Sequence, residues 1–113
     1  MGIELQSDQV ANGTVTVKIK GEIDMSTSSQ VRDYLGHYFK ENQKVVVVDL
    51  SDVSYIDSSG IATLVEGLQW SHSCKKKFRL TGLSPMVKDV FEIARLLTVF
   101  DIYDSKEEAI EGV

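Results

Sequence analysis

Residues 45–65 run VVVVDLSDVSYIDSSGIATLV, and the reading of this stretch decides the fold. Four consecutive valines show no apolar–polar alternation. A half-exposed strand alternates, whereas a strand covered on both faces does not, as in the centre of a parallel sheet. Downstream, Ile61, Leu64, Val65 and Leu68 recur at i, i+3, i+4 and i+7, the spacing of one helix face. A buried strand over 45–50 therefore hands over to a helix over 59–72. Between them lies Asp57-Ser58-Ser59-Gly60. One reading is a helix N-cap, whose side-chain oxygen accepts a bond from a free backbone N–H, worth about 1 kcal/mol. That accounts for Asp57 and Ser58. It accounts less well for Ser59-Gly60, because glycine in a first turn costs up to roughly 1 kcal/mol relative to alanine. Close approach of another molecule is one reason to keep Gly60 small. Loops at the carboxyl ends of parallel strands are also where ligands bind. These residues alone leave both readings open, a plain cap or a functional surface.

The same logic extends outward. Residues 14–20, TVTVKIK, alternate strictly and predict a half-buried strand with Val15, Val17 and Ile19 inward. Asn12-Gly13 is a tight-turn signal that pairs it with an arm over 3–7. Val31, Tyr34, Leu35, Tyr38 and Phe39 give one apolar face to a helix over 27–41, with Ser26, Thr27 or Ser28 available to cap it. Residues 78–81 predict a short strand ended by Gly82. Ser84-Pro85 opens a third helix with Val87, Val90, Phe91 and Ala94 on its apolar side. Residues 99–103 predict a last strand, and Ser105-Lys106-Glu107-Glu108 a capping box before a short final helix. Strands alternating with helices predict an α/β fold with a largely parallel sheet, as one domain over 1–113.

Composition narrows the function. Of 113 residues, 42% are hydrophobic and 26% charged, with a net charge of −5; this describes a globular chain without the basic stripe of a nucleic-acid binder. No apolar run approaches the roughly 20 residues of a membrane span. The opening MGIELQSDQ has no basic stretch followed by an apolar one and no secure myristoylation signal, and Cys74 has no partner for an internal disulfide. A cytoplasmic protein is expected. His37 and His72 stand in no triad or metal spacing. Cys74 beside Lys75, Lys76 and Lys77 is expected to be a solvated turn rather than a reactive thiol. No nucleotide-binding glycine motif occurs. Hence no catalytic, metal or cofactor residue is expected. Trp70 falls off the apolar stripe and is left between core flank and exposed contact.

Residues 45–68, VVVVDLSDVSYIDSSGIATLVEGL, closely resemble the central segment of STAS domains, named for sulfate transporters and anti-sigma factor antagonists. GEIDMSTSSQVRDYL (21–35) and residues 78–110 resemble the family's flanking parts. The resemblance implies a sheet of four to five mostly parallel strands with an N-terminal hairpin, packed by three to four helices on one side, and no enzymatic activity. It further implies an anti-sigma factor antagonist acting by partner switching. Ser59 would be phosphorylated by an anti-sigma factor that is also a serine/threonine kinase of the histidine-kinase-like ATPase class. Asp24, Met25, Ser26, Asp57, Ser58, Gly60 and Ile61 would form the partner-binding surface around it. The alternative is a cytoplasmic STAS subunit of a phospholipid-transporting ABC complex that binds the transporter ATPase. Direct contact with nucleic acid and membrane insertion are not implied; the state would be a monomer or weak homodimer.

Overall fold

The computed structural model describes residues 2–10, 13–40 and 43–111. The strands are β1 (Ile3–Val10), β2 (Thr14–Ile23), β3 (Val45–Ile56), β4 (Lys77–Thr81) and β5 (Asp101–Tyr103). The helices are α1 (Ser28–Lys40), α2 (Ser58–Cys74), α3 (Pro85–Ile93) and α4 (Lys106–Glu111). The strands lie in sequence order, β1-β2-β3-β4-β5. The first pair is antiparallel and the others are parallel. A sheet that grows in one direction by crossovers of one hand must keep its crossover helices on one face. Accordingly α1, α2 and α3 cover a single face.

The core lies beneath them. Val15, Val17 and Ile19 of β2, Val46, Val48 and Leu50 of β3 and Leu80 of β4 meet Val31, Leu35, Leu64, Val87 and Phe91 of the helices, all buried. Each such side chain contributes about 1.5–3 kcal/mol of burial. No crossover follows β5, so α4 is free to take the other face. There Ala109 packs on Val45 and Val47. This explains why the valine run does not alternate: both faces are covered at its start. Thr14 and Thr16, in register with Val45 and Val47, are buried as well, so β2 is less exposed at its start than alternation alone predicts. Arg79 fastens this second layer. Its guanidinium pairs with Asp101 at 3.3 Å, donates to the Ala109 carbonyl at 2.8 Å and lies over the Tyr103 ring.

Several boundaries move. β3 runs past Leu50 to Ile56, and β2 runs on to Ile23. Beyond Asp49, β3 pairs with β2 alone, and two register shifts interrupt that ladder. The bulges break the period of two, so only Val53 and Ile56 of this extension are buried and the sequence does not read as strand. α1 begins at Ser28, and its expected end at Glu41 lies outside the described residues, as does Asn12 of the expected turn. The last strand shortens to 101–103, with Val99 exposed. Ala94 sits at the C-cap of α3 and is exposed rather than buried. Ser84 caps α3 through the Val87 N–H, and Ser105 caps α4 through the Glu108 N–H, both as the sequence predicts. Trp70 is half-buried against Phe39, rings 5.9 Å apart, beside Gly36. Among the described residues no helix is long and apolar enough to cross a membrane.

The sheet-facing stripe of α2 is rotated from the one apolarity predicts. Gly60, Thr63, Leu64, Gly67 and Ser71 are buried, while Ile61, Val65 and Leu68 are only partly so. Small residues let this helix lie close. A Cβ on Gly67 would stand 3.0 Å from the Phe78 ring. Phe78 in turn touches Phe39 and Phe100. Replacing Phe78 with alanine should cost about 3–5 kcal/mol in chemical denaturation; a loss below about 1 kcal/mol would show that α2 does not depend on this seat.

Candidate functional site

The carboxyl ends of β2 and β3 present the Asp57 segment. At the end of β3 the chain turns directly into α2. Asp57 is the N-cap, in extended conformation. Its Oδ1 accepts from the N–H of Ser59 at 2.9 Å and of Gly60 at 3.2 Å, and from the Ser59 hydroxyl at 2.5 Å. One carboxylate oxygen thus takes two otherwise free helix amides and the hydroxyl beside them. Asp57 caps, as expected; Ser58 and Ser59 do not. Ser58 is exposed and Ser59 half-buried.

The second carboxylate comes from the loop after β2. Asp24 Oδ1 accepts from the Ser26 N–H at 2.9 Å and the Ser26 hydroxyl at 2.6 Å. The start of α1 is not closed by a serine or threonine side chain as expected. The Asp24 carbonyl accepts the N–H of Thr27 and of Ser28. A backbone bond, Asp57 N–H to the Ile23 carbonyl at 3.2 Å, joins the two segments.

Both carboxyls are held below the ordinary aspartate value. For Asp57 the Ser59 hydroxyl is the main cause. Burial opposes it, the two backbone N–H groups add to it, and the nearby Asp24 charge pushes back upward. For Asp24 the Ser26 hydroxyl dominates, opposed by burial and helped by the Ser26 and Thr27 bonds. The bond from the Asp57 N–H to the Ile23 carbonyl, one residue before Asp24, sets the two acids at neighbouring strand ends. Ser26 is exposed, and Met25, at 83% exposure, projects from the same loop. Tyr55, two residues before Asp57, is also exposed; nothing in the sequence singled it out. Ile61 is half-buried against the core.

Gly60 requires a correction. It is buried, and what keeps it small is the chain itself, not another molecule. A Cβ there would stand 2.6 Å from Ile56 Cγ1 and 2.8 Å from both Ile23 Cγ2 and the Ile23 carbonyl oxygen. Gly60 shapes the face from beneath by letting the first turn of α2 rest on the strand ends. The spacing of Gly60 and Gly67, i and i+7, was the available signal. Cys74 and Lys75–Lys77 lie at the far end of α2, with Lys75 as the left-handed C-cap. Among the described residues no group of three His, Cys, Asp or Glu could hold a metal.

A family model described as the STAS domain matches residues 6–109. An anti-sigma-B factor antagonist from Listeria monocytogenes is 28% identical over 108 residues, covering 96% of this chain and 95% of its own. The crystal structure of an anti-sigma factor antagonist from Mycobacterium paratuberculosis aligns with a TM-score of 0.87 at 22% identity, over 99% of this chain and 94% of that one. The Bacillus cell fate determinant SpoIIAA in its phosphorylated form gives a TM-score of 0.75 at 22% identity, over 96% and 98%. At such identities the structural likeness speaks for the fold.

Two outcomes follow for the free protein. Gly60→Ala gains up to roughly 1 kcal/mol of helix propensity but forces contacts of the kind that cost about 1–3 kcal/mol. The net change should be destabilising, and a variant more stable than wild type would contradict the close seat. Asp57→Ala should cost about 1 kcal/mol near neutral pH. Because the folded Asp57 carboxyl is depressed, its contribution is complete above the unfolded value and fades as pH falls through the folded one. The melting-temperature gap to Asp57→Ala should therefore narrow on acidification; a pH-independent gap would contradict the charged cap.

Proposed function

The chain belongs to the STAS-domain family, and on that premise we propose that it is an anti-sigma factor antagonist controlled by phosphorylation of Ser59. It acts in the cytoplasm by binding, without chemistry of its own. The partner is an anti-sigma factor that is also a serine/threonine kinase of the histidine-kinase-like ATPase class. Unmodified, the protein holds that partner and the sigma factor is free; phosphorylated, it releases the partner.

The observation that carries this reading is the setting of the Ser59 hydroxyl. It sits half-buried at the start of a helix, bonded to Asp57, whose N–H is tied to the Ile23 carbonyl next to Asp24. Esterifying that oxygen removes the proton it donates to Asp57. It also adds about 1.5–2 negative charges beside two carboxylates. The positive end of the α2 dipole can carry the new anion without unfolding. The core below is apolar and untouched. Such a site changes the sign and shape of a surface while the fold stays as it was. The names borne by the relatives support the same reading: anti-sigma-B factor antagonist for the Listeria protein, and a phosphorylated form for SpoIIAA. Met25, exposed in the loop beside Asp24, is the apolar contact a partner would cover, and Ser26, Ser58 and Ile61 belong to the same proposed surface.

The test is capture of the partner with wild-type protein, followed by affinity measurements on variants. Mass spectrometry should identify a kinase-type ATPase and place phosphate on Ser59. Ser59→Ala should bind and resist modification. Ser59→Glu should keep the wild-type melting temperature and bind at least about tenfold more weakly, a change of about 1.4 kcal/mol. Equal binding by Ser59→Glu, or recovery of a transporter ATPase with Ser59 unmodified, would overturn the reading.

A further inference from the structure

Thr27 differs from the other hydroxyl residues of this face in being buried, at 3% exposure. Its hydroxyl is nonetheless fully used. Oγ1 donates to the Glu22 carbonyl at 2.7 Å and accepts from the Asp24 N–H at 3.0 Å. The backbone closes the same knot: the N–H groups of Thr27 and Ser28 reach the Asp24 carbonyl at 3.1 and 2.8 Å. A threonine at a helix start ordinarily turns its oxygen toward an amide of the first helical turn. This one turns back to the strand it follows. The result ties the last residues of β2 to the first of α1, with Asp24 at the centre. The strand end gripped this way also carries the other half of the site, because the Ile23 carbonyl receives the Asp57 N–H and Ile23 seats Gly60.

We infer that Thr27 is a positioning residue: its buried hydroxyl, acting through the Glu22–Asp24 backbone, sets the Asp24 carboxylate beside Asp57 and so shapes the face around Ser59. The role needs a hydroxyl that both donates and accepts in this place. Valine has the shape but neither the donor nor the acceptor, and leaves a carbonyl and an amide unpaired. Serine keeps both. The importance of that face to a partner rests on the antagonist reading above; the placement of Asp24 does not, and it is tested on the free protein.

The test is a carboxyl NMR titration of wild type, Thr27→Val and Thr27→Ser. In wild type Asp24 is depressed mainly by Ser26, while its own charge pushes Asp57 upward. The valine variant also removes the 3.4 Å contact of the Thr27 hydroxyl with Asp24 Oδ1, which raises Asp24 wherever it sits. A fall at Asp57, relieved of the Asp24 charge, is therefore what reports that Asp24 has left its place. Asp24 should rise toward the ordinary aspartate value, and Asp57 should fall further below it. Thr27→Ser should keep both at their wild-type positions. A variant that is merely less stable would not give crossed shifts. An Asp57 that stays put or rises in Thr27→Val, whatever Asp24 does, would overturn the inference. Should Thr27→Val not fold, amide exchange decides. The Asp24 N–H should be protected in wild type and in Thr27→Ser, and exchange at the unprotected rate in either would overturn it. Failure to find an anti-sigma factor partner would leave all these values unchanged, so the two failures are distinguishable.

Discussion

The close seat of α2 on the ends of β2 and β3 is the constraint from which the rest of the site follows. At Gly60 the helix backbone comes so near Ile23 and Ile56 that one added carbon would stand inside contact distance. Interiors packed this tightly do not absorb an extra methyl without moving something. With the helix held there, Asp57 falls at its N-terminus, and its amide reaches the Ile23 carbonyl. That bond joins the α2 cap to the loop carrying Asp24. Ser59 then lies between a carboxylate and the helix dipole. None of these side chains is exotic; their chemistry comes from the distance at which the backbone puts them.

This arrangement sets the polar face apart from the apolar core. The apolar core under α1, α2 and α3 is built from Val, Leu, Ile and Phe, and it meets the site from beneath through Ile23 and Ile56. The polar groups of the site are bonded to one another and to helix ends near the surface. A change of charge at Ser59 is thus proposed to act on the face and only weakly on the fold. The lysines of the α2 exit stand at the opposite end of the same helix. The acidic site and this basic cluster are thus divided along one element, and a charged partner has one end to prefer.

Much of this was legible in the residues. The non-alternating Val45–Val48 announced a doubly covered strand, and a small helix, α4, supplies the second cover. The Asp57-Ser58-Ser59-Gly60 segment announced a helix start, and Asp57 alone does the capping. Three features were hidden, each for a physical reason. Bulges in β3 broke the alternation beyond Leu50, so the strand extension looked like loop. Gly60, Thr63 and Gly67 carry the buried stripe of α2, and a search for apolar side chains passes over residues chosen for smallness. Thr27 looked like one of three interchangeable caps because sequence does not tell which way a hydroxyl turns. The same blindness placed Gly60 at an external surface when its neighbours are Ile23 and Ile56.

On the proposed function, a charge on Ser59 alters this face and leaves the fold alone. The most direct measurement is a comparison of backbone amide spectra of the unmodified protein and of protein carrying phosphoserine at position 59. Large shifts are expected at residues 22–27 and 55–61 only, with the amides of Val46, Val48, Leu80 and Phe91 unmoved. Shifts spread through those core strands and α3, or no change at Asp24 and Met25, would contradict it.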